Sequence, residues 1–323
     1  MDNQDIEKLR KRISSEPSVL FLGQKYLNSK TGTDMFYDLV NDGLCEGKLG
    51  KETDYSSLWQ AWNKENRPTV EDIDKMNQMI SIIPRQNWLK KVISMRWGMI
   101  MTSAIDGIIL DYDFPFKVID MMQKQFSKKY VSKTLINVSF LYGHINCDEN
   151  DQFIPLHYND ICSFGYKKRI NDRLGWIYNE ILSEYGVLVI DGWNPETDWL
   201  QTLLDNAGEM PQKSIFLFGI TEELLQRTGL KALCDEKILQ YDERTFAKAL
   251  EDIGFFEEEY EAFAEQTDTG YQLTLSNKDK GLFVVPVSYG VKGRLDPHIT
   301  FLYDDIWFNE SHEPKRKLYI QFQ

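Results

Sequence analysis

The chain has 323 residues, long for one domain but within reach of a large α/β domain, and 42% of them are hydrophobic, ample material for a core. A net charge of −13 argues against broad electrostatic attraction to nucleic acid or anionic membranes, because phosphate binding needs clustered Lys and Arg. No apolar run approaches the roughly 18 residues that span a bilayer, and Met1-Asp2-Asn3-Gln4-Asp5 is too acidic and polar for a signal peptide.

Taken in chain order, Ile6, Leu9 and Ile13 have helical spacing, and Pro17 leads into a short strand over 18–22 that stops at Gly23. Thr31-Gly32-Thr33-Asp34 reads as the start of a helix carrying Met35, Phe36, Leu39 and Val40, with Thr or Asp as its cap. Between about 41 and 95 no strand is evident. Trp59, Trp62, Ile73, Met76, Met79, Ile80 and Ile83 recur at helical intervals there, which predicts an inserted helical subdomain, either a lid or an ordinary packed layer. Strands resume at 98–102 and 135–141 with a helix around 121–126 between them. Helices over 170–185, 197–206, 222–229 and 244–253 then alternate with strands over 187–190, 214–219 and 237–241. Short apolar runs alternating with amphipathic helices predict an α/β fold, a Rossmann-like doubly wound parallel sheet over residues 1–255.

From residue 256 the character changes. Glu257-Glu258-Glu259 and the stretch 266–270 read as linker, followed by a β-rich extension containing Leu282-Phe283-Val284-Val285 and an alternating stretch at 317–323, leading into a further domain. Cys45, Cys147, Cys162 and Cys234 form no Cys-x-x-Cys pair, the pattern of reduced thiols in a cytoplasmic protein, and predict no zinc ribbon and no other metal site. The densest basic run, Lys167-Lys168-Arg169, reads as a solvated helix start.

The chemistry is expected where the carboxyl ends of the strands converge. Gly23 and Gln24 follow the first strand, where a glycine lets backbone amides approach a pyrophosphate or simply makes a turn. Thr102-Ser103-Ala104-Ile105-Asp106-Gly107 follows the second, offering two hydroxyls and a carboxylate that either holds a ribose hydroxyl or carboxamide or caps the next helix. Tyr142-Gly143-His144 ends the strand at 135–141. A histidine suits general-base work near neutral pH, although a lone loop histidine is more often a surface residue. Asp191-Gly192-Trp193 ends a fourth strand, with Asp191 placed to accept from a ribose and Trp193 to stack on a base or to pack as core; Asp198 reads as a helix cap.

Thr-x-x-Ile-Asp-Gly at 102–107 resembles the Thr-Gln-Asn-Ile-Asp-Gly signature of the sirtuin family, matching at Thr102, Ile105, Asp106 and Gly107. The opening Val19-Leu20-Phe21-Leu22-Gly23-Gln24-Lys25-Tyr26-Leu27, with Gly32 and Phe36 after it, resembles the divergent version in bacterial anti-phage proteins whose sirtuin-like domain is fused to a STAND-type sensor. The resemblance covers roughly residues 18–255. It implies an NAD+ glycohydrolase effector, with NAD+ as substrate, that cleaves the nicotinamide–ribose bond and depletes NAD+ in antiviral defence. It further implies self-association into a tetramer or filament and a fused sensor for a phage component.

By the same resemblance Asp106, Tyr142 and His144 fall in the catalytic region, and Gly23, Gln24, Thr102, Ser103, Gly143, Asp191, Gly192 and Trp193 in the dinucleotide-binding one. Two positions depart from the family. Ala104 stands where it has its catalytic asparagine, and Tyr142 where it has the histidine of Leu-His-Gly. Three outcomes follow: another residue takes the asparagine's role, the domain is silenced at Ala104, or it is a non-catalytic NAD or ADP-ribose-binding regulatory module. A scaffold that oligomerises through aromatics such as Trp307 and Phe308 is a further alternative.

Overall fold

The computed structural model describes residues 1–24, 26–27, 34–47, 69–95, 97–112, 116–119, 135–145, 186–195 and 214–257, a few isolated positions between them, and the backbone of five strands beyond 260. Helix α1 (Asn3–Ser15) starts at Asp2, whose carboxylate accepts from Asp5 N at 2.8 Å, and buries Ile6, Leu9 and Ile13 along one face. Strand β1 (Ser18–Leu22) follows. Helix α2 (Met35–Leu44) is capped by Asp34, the residue the sequence offered for that task.

Helix α3 (Val70–Ile82) opens with a reciprocal capping box between Thr69 and Asp72, and α4 (Asn87–Ile93) leads back to the sheet. Gly43 of α2 faces the Met79 methyl of α3, which occupies the space a Cβ there would take. The buried residues Met76, Ile80, Leu89, Val92 and Ile93 belong to the same hydrophobic cluster as the strands, so these helices form a packed layer of the main core. Trp59 and Trp62 lie outside the described residues.

The sheet contains β1, β2 (Met99–Thr102), β3 (Phe116–Val118), β4 (Ile136–Phe140), β5 (Val187–Asp191), β6 (Ile215–Phe218) and β7 (Leu239–Asp242). Its order is β3-β4-β2-β1-β5-β6-β7 and every pairing is parallel. From β1 the chain adds β2, passes to the edge strand β3 and returns to place β4 between β2 and β3, then crosses to β5 on the other side of β1, so the order reverses between β1 and β5. Every residue of β1, β2, β4, β5 and β6 is buried, which accounts for their near-continuous apolar sequences. Helices α5 (Glu222–Thr228), α6 (Lys231–Asp235) and α7 (Phe246–Asp252) complete the unit. The expected α/β Rossmann-like fold is therefore present.

Two elements were not anticipated: the edge strand β3 and the five-residue helix α6. A third difference concerns the linker expected over 266–270. Strands β8 (Glu261–Thr267) and β9 (Gly270–Asn277) occupy most of it and pair with β10 (Gly281–Ser288) in an antiparallel sheet. Gln266, Thr267 and Gly270 sit on paired backbone instead, and residues 268–269 lie outside the described residues. A further antiparallel pair joins β11 (Ile299–Phe301) and β12 (Ile320–Phe322). The helices expected near 121–126 and 197–206, most of that over 170–185, and Asp198, Trp307, Phe308, Cys147 and Cys162 lie outside the described residues. Among the described residues no helix is long and apolar enough to cross a membrane.

Candidate functional site

The carboxyl ends of β4, β2, β1 and β5 are neighbours in the sheet, with Leu22 in register with both Thr102 and Asp191. Backbone hydrogen bonds continue past the strands and tie the four loops together. Gly23 N donates to Asp191 O at 2.8 Å, and Ser103 N to Leu22 O at 3.2 Å. Leu141 N donates to Thr102 O and Ile145 N to Ile105 O, both at 2.8 Å. The resulting rim lies at the point where the strand order reverses, the usual ligand crevice of open α/β sheets.

The loop after β2 is a tight, buried turn. Thr102 is held inside it, its Oγ1 accepting from Ala104 N at 3.0 Å, while the Ala104 methyl packs into the core. Asp106 Oδ1 accepts twice, from Ile108 N at 2.8 Å and from Tyr26 OH at 2.7 Å. The first bond, with Gly107 in the left-handed region at φ 67°, starts the 3₁₀ turn Ile108–Asp111. Asp106 thus shapes the turn with one oxygen from the position before the N-cap; the N-cap itself is Gly107, so Asp106 is not the cap that the sequence suggested. Its other oxygen, Oδ2, and the Ser103 hydroxyl are buried and have no hydrogen-bond partner among the described residues, with Ser103 0% and Asp106 1% exposed. Burial pushes Asp106 up to about 6, against the opposing pull of its bonds to Tyr26 and Ile108.

The loop after β4 turns at Gly143, whose φ of 77° suits a residue without a Cβ. Tyr142 is buried beneath it. His144 is also buried, its ring 4.4 Å from that of Phe140, so the expectation of a surface histidine does not hold. The bond from Ile145 N to Ile105 O brings this loop against the one that carries Asp106.

On the far side of β1, Asp191 Oδ1 accepts from Phe246 N at 3.2 Å, so the carboxylate anchors the start of α7. Burial raises it to about 6. Gly192 turns the chain at φ 69° and Trp193 is buried just beyond. Gln24 is buried after Gly23, with Oε1 accepting from the Tyr37 hydroxyl at 3.5 Å.

Three contributors to the site were missed or undervalued by the sequence reading. Tyr26 was noted only as part of a strand exit, Tyr37 was not noted, and Asp34 served only as a cap. Asp34 Oδ1 does accept from Phe36 N at 2.9 Å, but Oδ2 also accepts from Leu27 N at 3.0 Å and so closes the loop that carries Tyr26. Its carboxyl is pushed well up by burial and by the charge of Asp106. The available signal was a carboxylate and a tyrosine flanking a loop that leaves a buried strand.

The raised acids have a consequence for stability. Asp106 and Asp191 titrate near 6 in the folded chain, against an ordinary 3.8 when unfolded. Between those values the folded state binds more protons, so their contribution is full below about pH 4 and is lost as pH rises through about 6. Each group accounts for on the order of 2–3 kcal/mol over that window. Denaturant unfolding at pH 4, 5, 6 and 7 is expected to show a smaller loss for Asp191→Asn, which keeps the acceptor for Phe246 N, than for the unsubstituted chain.

No family model matches this chain, and no curated protein is significantly similar to it.

Proposed function

We propose that this rim binds NAD+ and that the domain is a sirtuin-like NAD+ glycohydrolase, a cytoplasmic effector that depletes NAD+ in antiviral defence. The observation that carries the reading is the pair of buried, unpartnered polar atoms, Ser103 Oγ and Asp106 Oδ2, inside the hexapeptide that resembles the family signature. Unsatisfied buried polar groups are costly, and at the reversal point of a parallel sheet a ligand is the natural partner for them. Gly23, Gln24 and the loop at Gly192 follow the neighbouring ends of β1 and β5 and suit the phosphates and the adenosine half.

In the reaction the C1′–N bond of the nicotinamide ribose breaks and its electron pair leaves with nicotinamide. Positive charge develops on the sugar and is stabilised electrostatically. A water oxygen then bonds to C1′, giving ADP-ribose, and its proton passes to a base. His144 is the residue of this rim with the chemistry for that step. Self-association and a sensor domain following residue 256 would serve to keep such an activity idle until triggered.

A second reading, a non-catalytic module that binds NAD or ADP-ribose, is favoured by one observation. Position 104 carries a buried methyl group with no polar atom to orient a water. Calorimetric titration of the full chain with NAD+, together with chromatography of the products, tests both. Binding with slow accumulation of nicotinamide and ADP-ribose is expected for the hydrolase, and binding without products for the module. Absence of binding at millimolar NAD+ would overturn both.

A further inference from the structure

We infer that Tyr26 is a positioning residue for Asp106: its phenol holds one carboxylate oxygen and leaves the other as an acceptor for ligand. The inference deepens the NAD+ reading and rests on it only for the identity of the ligand. Tyr26 and Asp106 are 80 positions apart, so their contact is a product of the fold rather than of local sequence. The phenol oxygen donates to Asp106 Oδ1 at 2.7 Å, in the range of charge-assisted O–H···O⁻ bonds, and both residues are buried. Ile108 N donates to the same oxygen at 2.8 Å. Two donors on Oδ1 fix the plane of the carboxyl and leave Oδ2 alone without a protein partner among the described residues.

The surroundings make this bond matter. Among the described residues, the titratable groups that act on or respond to Asp106 are Tyr26 on the loop after β1, Asp34 at the cap of α2, and Asp111 and Tyr112 at the end of the 3₁₀ turn. Burial works against the Asp106 anion first, and the charge of Asp111 adds to it. The Tyr26 bond is the largest influence in the other direction, followed by Ile108 N. Tyr26 itself stays protonated, because burial and then the Asp106 charge push its phenol well above its ordinary value of 10.0. A donor that cannot ionise in the working range is what a permanent anchor requires. A hydroxyl placed merely to fill space would have no such effect on its neighbour's charge.

The test is the titration of Asp106 in the full chain without ligand, followed by carboxyl-carbon NMR and assigned with Asp106→Asn. In Tyr26→Phe the midpoint is expected to rise by about one pH unit or more. In Tyr37→Phe, which removes the neighbouring phenol bonded to Gln24, it stays in place. Should Tyr26→Phe fail to fold, 2,3-difluorotyrosine at position 26 decides: a more acidic phenol is a stronger donor and lowers the midpoint. NAD+ affinity follows the same groups. At pH 7 Tyr26→Phe binds about twofold more weakly for a rise of one unit and roughly tenfold for a rise of two, and raising the pH to about 8.5 restores most of the loss. An Asp106 midpoint unmoved by both the phenylalanine and the fluorotyrosine would overturn the inference. A midpoint that moves in a protein that binds no NAD+ would support the anchor and reject NAD+ as the ligand.

Discussion

Replacing Ala104 with asparagine is expected to raise nicotinamide release from NAD+ by about a hundredfold or more, the usual weight of one positioned polar group in a transition state. The main chain is already prepared for it. Ala104 N is held by Thr102 Oγ1 at 3.0 Å, Ser103 N by Leu22 O at 3.2 Å, and neither bond involves the side chain at 104. The new amide extends from a fully buried methyl position, so the substitution has a structural cost of about 1–3 kcal/mol from overpacking and from an amide that lacks a partner when no ligand is bound. Ala104→Asn is therefore expected to be less stable than the parent toward denaturant and to recover part of that loss in NAD+. Chromatography of the products and unfolding curves with and without NAD+ check both halves. An Ala104→Asn protein that binds NAD+ yet releases no nicotinamide would reject the hydrolase and leave the binding module.

The second large effect is expected at Asp106, and it has opposite signs for binding and for folding. Asp106→Asn keeps an oxygen that accepts from Tyr26 and from Ile108 N, so the turn survives. It replaces Oδ2, the buried oxygen without a partner, by an N–H group and removes the charge that burial disfavours. Above about pH 6 the variant is expected to be at least as stable as the parent. NAD+ affinity is expected to fall by roughly tenfold to a hundredfold, the weight of one hydrogen bond to a charged acceptor. A group that is costly to the fold and needed for the ligand is the mark of a functional position. Calorimetry with NAD+ and denaturant unfolding at pH 7 measure the two signs. Equal loss in both would reduce Asp106 to a residue that shapes the turn.

How much of this was legible in the chain depends on where each signal resides. Strands β1, β2, β4, β5 and β6 are buried throughout, so composition alone marks them. Strand β3 spans three residues, Phe-Lys-Val, with half-buried and exposed side chains, and offers neither an apolar run nor an alternation long enough to count. The hexapeptide at 102–107 was legible because small and polar residues directly after an apolar strand are conspicuous. That Asp106 holds the turn with one oxygen and leaves the other without a partner among the described residues was not, since the two features fall on different oxygens of one group. Tyr26 escaped for a related reason: its partner lies 80 positions away in sequence, and only the parallel pairing of β1 and β2 brings their loops side by side. His144 looked like a surface residue because a glycine turn precedes it, yet the ring folds back on Phe140.

The cross-links between the loops at the strand ends run from peptide group to peptide group: Gly23 to Asp191, Ser103 to Leu22, Leu141 to Thr102, Ile145 to Ile105. The bonds of a frame fastened in this way do not use the side chains at 104 and 142, although both are packed in the core. An exchange at either position therefore strains the packing beneath the mouth before it loosens the mouth itself.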